Sequence, residues 1–512
     1  MKISFVKSLM LLSLFVLIIF SSGCSLWSLP ENEVTEPRSE GSVDPVELRI
    51  VLLGYAPPEL ELAIAKLNKM AVGDLGFTVN IEVMYPADFQ RPYELLLSAG
   101  APVDLLWAAS WNKYQIYARE GAFLPLDSLL QDVVPDYYAS IPQEIWEKSR
   151  IDGEIYGLPQ LSMDYNAKGF VYREDLRKKY DLPEITDLAT IEIYLECIRD
   201  SEPQMLPTDE GAELGVWYIY SFLNNLEAGF GPQHAAYGLA VKFDNRTELY
   251  DEWQSSEFKE AAETVKRWYD KGFWSTGVTA NQKDSARSFL AGKCAGVFSQ
   301  TDPRNVHDNI VQPVAMMHPD WEVGYLNFSA ISGAAIRKFP TFQSWAIPVS
   351  ASYPEQALEF VEQVMLDKEY NQLLWMGIQN VHYKIDEQGY YVQLGNRYHK
   401  GSVDLNSLYN EEFQVYPETY SFLQDVFSLL EPIAIDDFWS FFVEDYDSYS
   451  SERAAMQQVA ETYLVPIKAG IVPDVDEAIA LLTAKAQEAG RDKIFASMTQ
   501  QWQAYCEAQG IE

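Results

Sequence analysis

Trp107 and Trp111 stand four residues apart at the end of the apolar run VDLLWA (Val103–Ala108), with Ser110 and Asn112 beside the second. A flat ring next to amide and hydroxyl groups suits a polyol. The ring takes the C–H face of a sugar, and Asp, Asn, Gln or Arg take its hydroxyl edges. Tyr55 ends another apolar run, ELRIVLLGY (Glu47–Tyr55). In open α/β sheets, ligands sit beyond the carboxyl ends of the strands. Tyr55, Trp107, Trp111 and Asn112 are therefore candidate ligand-binding residues. Core packing competes for Trp107, whereas Trp111 lies past its run.

Further along the chain, Asp164 and Tyr165, with Asn166, form a second cluster of polar and aromatic side chains. A polar turn is the plain alternative there. Trp217 lies in GVWYIY, where packing competes strongly. Gln300 and Asp302 follow the run AGVFS (Ala295–Ser299), and Pro303 marks a helix start. Asp302 is thus also a candidate N-cap, with proline at the first helical position. Trp345 opens a later strand-like run, and Trp375 and Tyr383 flank a Gly-Ile pair.

Catalytic signatures are missing where they would be short and local. There is no GxSxG, HExxH or P-loop. The five histidines (His234, His307, His318, His382, His399) have no metal-ligand spacing, so neither a metal nor another cofactor is expected. The acidic run EDYDSYSSE (Glu444–Glu452) lacks the register of an EF-hand loop and reads as a solvated helix start. Paired carboxylates for glycoside chemistry remain open, because a chain this acidic contains many chance pairs.

The elements that must position these residues are legible as alternating periods. Glu47–Tyr55, Phe77–Tyr85 and Val103–Ala108 read as strands; Pro57–Val72 and Asp88–Ala99 between them read as helices. Strands alternating with helices imply a parallel sheet between helical layers. Thr186–Arg199 and Ser256–Lys271 are amphipathic helices. Ala295–Ser299, Glu322–Phe328 and Ser344–Val349 are further strands. Pro354–Met365 and Lys368–Met376 follow as helices, His382–Gln393 as a hairpin, and Ser450–Gln509 as nearly continuous helix.

With 512 residues, the chain exceeds what one core usually holds. The 75 acidic against 38 basic residues give a net charge of −37, which argues against nucleic acid. Lys2 and Lys7 flank the start of a run, Leu9–Phe20, that is apolar except for Ser13. Small residues Ser21, Ser22 and Gly23 then precede Cys24. This three-part pattern is that of an export signal. Residues 25–44 (SLWSLPENEVTEPRSEGSVD) read as a flexible tether. The other cysteines, Cys197, Cys294 and Cys506, cannot all pair and include no CxxC.

These segments together resemble a known family. LLLSAGAPVDLLWAASWNKYQIYAREGAFLPLDSLL (Leu95–Leu130), IDGEIYGLPQ (Ile151–Gln160), GFVYREDLRKKYDLPEITDLATIEIYLECIR (Gly169–Arg199) and FLAGKCAGVFS (Phe289–Ser299) resemble, in order and spacing, the extracellular solute-binding proteins of ABC importers, maltose-binding type. The stretch from Trp345 to Ile385 and the last helices resemble a Gram-positive lipoprotein subgroup with a helical C-terminal extension. The residues before Cys24 resemble a lipobox, although Ser21 stands where the family usually has Leu.

The resemblance implies a two-lobe α/β fold of the periplasmic-binding-protein type (type II), with a hinge and a helical extension. It implies a solute, a sugar or oligosaccharide, held between the lobes and passed to ABC permease subunits. It raises Trp345 as a site residue and makes Cys24 the lipid-bearing first residue of a monomer anchored outside the cell. The expected division is an export signal over 1–23, a tether over 24–45, and a first lobe over 46–160 completed by part of about 303–350. A second lobe over 161–302 would be completed by part of 351–440, before a helical region over 441–512. A secreted glycoside hydrolase or lyase, and a sensing or adhesive lipoprotein without a transporter, are the alternatives.

Overall fold

The computed structural model describes residues 46–511 apart from 87, 212–213, 221–225, 228–236, 281–283, 300, 399, 401–402 and 440. The export signal, Cys24 and the tether therefore lie outside the described residues, as does Gln300.

Strand β1 (Glu47–Leu53) is apolar on both sides because it runs through the middle of a sheet. It pairs in parallel with β2 (Thr78–Met84) from Glu47↔Thr78 to Leu53↔Met84, and with β3 (Leu105–Ala108) on its other edge. Helices α1 (Leu60–Asp74) and α2 (Gln90–Ser98) make the crossovers. Ser344–Ala346 adds antiparallel to β3, and Gly157–Leu158 adds antiparallel to that, giving five strands. Trp107 and Trp345 face each other across this ladder, both with almost no exposure.

A second sheet has four strands in the order Val323–Asn327, Gly169–Arg173, Cys294–Val297, Leu206–Thr208. Helix Leu188–Ser201 covers it, started by a capping box between Asp187 and Thr190. Helix Ser256–Asp270 buries Phe258, Val265 and Trp268 in the same core. The last helices, Ser450–Val459, Val475–Glu488 and Arg491–Gln509, add Met456, Leu482, Ile494 and Met498 to it. The expected two-lobe α/β fold with a helical extension is thus observed, and the extension is continuous with the second core.

The segments that complete the lobes divide more finely than the sequence reading: Ser344–Ala346, within the expected 303–350, joins the first sheet, and Phe422, within 351–440, packs with the second lobe, while two other segments fall on the other side. Val323–Asn327 pairs along its whole length with Gly169–Arg173, which draws 303–327 into the second lobe. Helices Pro354–Leu366 and Lys368–Met376 bury Phe360, Val361, Leu373 and Met376 in the first core instead. Between the lobes the chain crosses three times. Each crossing gives one short strand to a three-stranded sheet: Tyr165–Asn166, Ala335–Arg337 and Ala434–Asp436. No helix among the described residues is long and apolar enough to span a membrane. Cys197, Cys294 and Cys506 are free thiols, two of them buried.

Trp107 shows what holds the first sheet to its covering segments. Phe89 and Tyr93 meet its ring edge-on at 5.6 and 6.1 Å. Its Nε1–H donates to Asp404 Oδ2 at 2.7 Å. Trp107→Ala opens a cavity and orphans that carboxylate, so a loss of about 3–5 kcal/mol is expected in urea unfolding. Trp111→Ala, at a half-exposed ring, should cost about 1 kcal/mol or less by the same measurement.

Candidate functional site

The three parallel strands of the first sheet run in one direction and end at one edge. Each ends in an exposed aromatic ring: Tyr85 after β2, Tyr55 after β1, and Trp111 in the turn after β3. Their exposures are 52%, 62% and 46%, far above those of the core rings. Tyr55 and Tyr85 meet edge-on at 6.1 Å. Trp111 is braced from below by Phe89 at 5.9 Å and Trp107 at 5.1 Å. The order β2, β1, β3 in the sheet sets the three strand ends side by side.

Polar groups without partners gather beside this platform. Ser110 N–H donates to Thr341 O at 3.0 Å, and Gln160 N–H donates to Pro340 O at 2.6 Å. These bonds bring the turn after β3 together with the first two crossings. Asn112, Gln160 and Thr341 are all more than nine-tenths buried. Yet Asn112 Nδ2, Gln160 Oε1 and Thr341 Oγ1 have no hydrogen-bond partner within the protein. A buried polar atom left unpaired costs about 1–3 kcal/mol. The turn after β3 and the two crossings bring these three residues into one region. Around them, Ser162 Oγ–H donates to Asn406 Oδ1 at 3.1 Å, and Asn406 Nδ2 donates to Asp404 Oδ1 at 2.9 Å.

Next along the crossings is a charge cluster. Lys338 Nζ lies 2.5 Å from Asp164 Oδ2 and 3.5 Å from Asp302 Oδ1. Lys168 Nζ lies 3.0 Å from Asp302 Oδ1. Burial works against the Asp302 charge, but the two ammonium groups outweigh it and hold the carboxyl below the usual carboxylate range. Asp302 stands at the N-cap position before Pro303, but its side chain makes no capping bond to the backbone. Its oxygens are turned instead to the lysines and Asn305. Arg304 Nη2 donates to Met163 O at 2.7 Å beside this cluster.

The remaining candidates pack rather than face the cleft. Trp107 and Trp345 are in-strand core residues; Trp345 Nε1–H donates to Asp404 O at 3.3 Å. Trp375 is buried under the 405–409 segment and donates to Leu408 O at 3.2 Å. Trp217 stacks on Tyr220 and meets Phe258 edge-on. Tyr165 is fully buried in the crossing sheet, with its hydroxyl on Glu431. Tyr55, Trp111, Asn112, Asp164 and Asp302 line the region just described. Tyr85, Gln160, Thr341 and Lys338 were missed. The strand-end rule finds Tyr85 once β2 is ended at Met84, opposite Leu53. No local signal marks the other three.

Two sheet-based lobes, three crossings and a polar-aromatic edge facing the crossings define a cleft-binding protein of the two-lobe type. The chain belongs to the bacterial extracellular solute-binding proteins, whose family profile matches residues 60–371. A domain of unknown function, DUF3502, matches residues 440–507. A carbohydrate ABC transporter substrate-binding protein of Streptococcus pneumoniae serotype 4 is 22% identical over 241 residues. That match spans 46% of this chain and 46% of the relative, so the chain covers about half the relative's length. The N-glycan transport solute binding protein (NgtS) of S. pneumoniae superposes with a TM-score of 0.71 at 17% identity, over 91% of this chain and 100% of that one. The same protein in complex with Man1GlcNAc gives 0.69 at 18% identity, over 90% and 99%. FusA of S. pneumoniae with kestose gives 0.59 at 13%, over 91% and 100%. At these identities the superpositions speak to the fold.

Glu210 lies fully buried behind Ser299 and the Phe298 N–H, which contact its carboxyl at 3.2 and 3.4 Å. Burial pushes its pKa up to about 7 from 4.5. The folded protein keeps a proton that the unfolded chain releases above about pH 4.5. This contribution to stability is present below that pH and is lost as pH rises through about 7. Glu210→Gln cannot titrate, so its thermal midpoint should fall less between about pH 5 and pH 8 than that of the wild type. Equal falls would show that Glu210 does not titrate in that window.

Proposed function

We propose that this chain is the solute-binding component of an ABC importer, capturing a neutral sugar or oligosaccharide between its lobes and delivering it to membrane permease subunits. The observation that carries the reading is the row of exposed rings, Tyr85, Tyr55 and Trp111, at the carboxyl ends of three adjacent strands. Exposed rings at neighbouring strand ends suit the apolar faces of sugar units. The unpartnered atoms of Asn112, Gln160 and Thr341 beside them suit hydroxyl groups. Lys168 and Lys338 are engaged by Asp164 and Asp302.

The relatives support the same class. One is named a carbohydrate ABC transporter substrate-binding protein, and two solved structures hold Man1GlcNAc and kestose. Binding works through closure. A solute touching both lobes stabilises only the closed state and shifts the population toward it. No bond in the solute is made or broken in this reading. The Lys2–Gly23 segment acts as an export signal, and Cys24 then carries lipid that anchors a monomer at the outer face of the cell membrane.

A thermal-shift screen of the chain from about residue 46 against neutral and acidic oligosaccharides tests this. A true ligand at a hundredfold excess over its Kd adds about 2.7 kcal/mol of stability. Neutral sugars should raise the midpoint and be recovered intact, and Trp111→Ala should weaken binding about tenfold. Cleaved sugar would point to an enzyme. A midpoint unmoved by every sugar would overturn the carbohydrate assignment and leave the fold standing.

A further inference from the structure

A short stretch, residues 403–408, runs along the carboxyl edge of the first sheet. Val403 forms an antiparallel bridge with Gly54, directly before Tyr55, and Asp404 N–H donates to Leu53 O at 2.8 Å. Trp345 Nε1–H donates to Asp404 O at 3.3 Å, and Ser407 Oγ–H donates to Leu158 O at 2.9 Å. The stretch is thus tied to β1 and to the two strands added beyond β3. Its one acidic side chain is Asp404. The Asp404 backbone is fixed next to the strand end that carries Tyr55. Its side chain reaches the indole of Trp107, whose ring lies 5.1 Å from that of Trp111.

The Asp404 carboxyl is not fully used. Oδ2 accepts from Trp107 Nε1–H at 2.7 Å. Oδ1 accepts from Asn406 N–H at 3.1 Å and from Asn406 Nδ2 at 2.9 Å. A carboxylate offers about four acceptor positions, two on each oxygen. Both on Oδ1 are filled, and one on Oδ2 is open. All three donors are neutral groups. Burial costs the charge more than they and the Lys338 ammonium return, so the pKa is raised above the ordinary carboxylate value. The residue is nevertheless partly exposed. The same bonds lead from Asp404 to the unpartnered groups beside the rings. Asn406 Oδ1 accepts from Ser162 Oγ–H, and Ser162 Oγ accepts from Gln160 Nε2 at 3.2 Å. Gln160 Oε1 is one of the three atoms without a partner.

We propose that Asp404 is a ligand-binding residue, whose open Oδ2 position accepts a hydrogen bond from a hydroxyl of the sugar unit stacked on Trp111. The proposal deepens the carbohydrate reading above and rests on it. An exposed ring takes the apolar face of a sugar, and a carboxylate at its edge takes a hydroxyl. An ionised carboxylate accepts and cannot donate, and its bonds are stronger than those between neutral groups. The position therefore selects a hydroxyl donor and disfavours a unit bearing a carboxylate or sulfate at that place. Trp107 and Asn406 hold the carboxyl in one orientation, so the choice is made by a preset group.

Calorimetric titration of the chain from about residue 46 with Man1GlcNAc, kestose and maltotriose tests it. Wild type is compared with Trp111→Ala, Asp404→Asn and Trp107→Phe, with the thermal midpoint of each as a folding control. Asp404→Asn keeps the shape and removes the charge, and should weaken binding of the recognised sugar about tenfold or more. Trp107→Phe removes the donor to Oδ2 but keeps a ring beneath Trp111 and the Asp404 charge. It should bind within about threefold of wild type, although its midpoint falls. If Trp107→Phe loses as much affinity as Asp404→Asn, the carboxylate acts by holding residues 403–408 in place and the proposal is overturned. If Trp111→Ala loses affinity while Asp404→Asn stays within twofold of wild type, Asp404 does not touch the solute and the carbohydrate reading survives. Absence of binding by wild type to all three sugars overturns both readings.

Discussion

The buried ammonium of Lys338, shared between Asp164 and Asp302, is the interaction on which the geometry between the lobes turns. It joins the first crossing, the second crossing and the start of the Pro303–Val306 helix. Its backbone adds to the tie, because Lys338 N–H donates to Asp164 O at 3.0 Å. A buried cation is tolerated only when its charge is matched and its donors are used. Two carboxylates do that here, and Lys168 balances the second of them. The two lysines and the two aspartates match each other in charge, although the chain as a whole is strongly acidic.

The three crossing strands convert this local tie into a hinge. Tyr165–Asn166, Ala335–Arg337 and Ala434–Asp436 share one small ladder, so none of them moves alone. Lys148, on a helix of the first lobe, and Arg337, on the second crossing, both reach Asp436 on the third. Those pairs are exposed and individually weak. Their role is to set direction more than to add stability. Bending at so short a sheet moves whole lobes while leaving their cores intact, as hinge closure requires.

Much of this was legible in the sequence, and the reason is local. The runs forming β1 and β3 are largely buried on both faces, and β2 alternates, so all three read as strands without their partners. Helix Lys368–Met376 has the expected bounds because Asp367 caps its start, accepting from the Glu369 and Tyr370 N–H groups, and Gly377 ends it at φ 78°. What escaped is non-local. Nothing within Val323–Asn327 says that its partner lies at Gly169–Arg173, so the sequence does not show that this stretch belongs to the second lobe. The strand Ala434–Asp436 is too short to carry a period. Among the tryptophans, position relative to the strand end decided the outcome. Trp107 and Trp345 fall inside strands and are core, whereas Trp111 falls past one and is exposed.

The same geometric logic explains why the C-terminal helices belong with the second lobe and not apart from it. Arg491, at the start of the last helix, donates to Tyr237 O and Gly238 O and pairs with Asp251 at 2.8 Å. Trp502 donates to Arg246 O at 2.8 Å. These bonds end on backbone carbonyls and an acidic side chain of the hairpin built from Leu239–Lys242 and Asn245–Asp251, so the hairpin and the helices position each other. A region fixed this firmly to one lobe, yet touching the other through Phe441, moves with the second lobe and slides against the first when the hinge bends. Its contact with the first core is correspondingly small and aromatic. A ring meeting another edge-on adds no hydrogen-bond ladder between the two lobes.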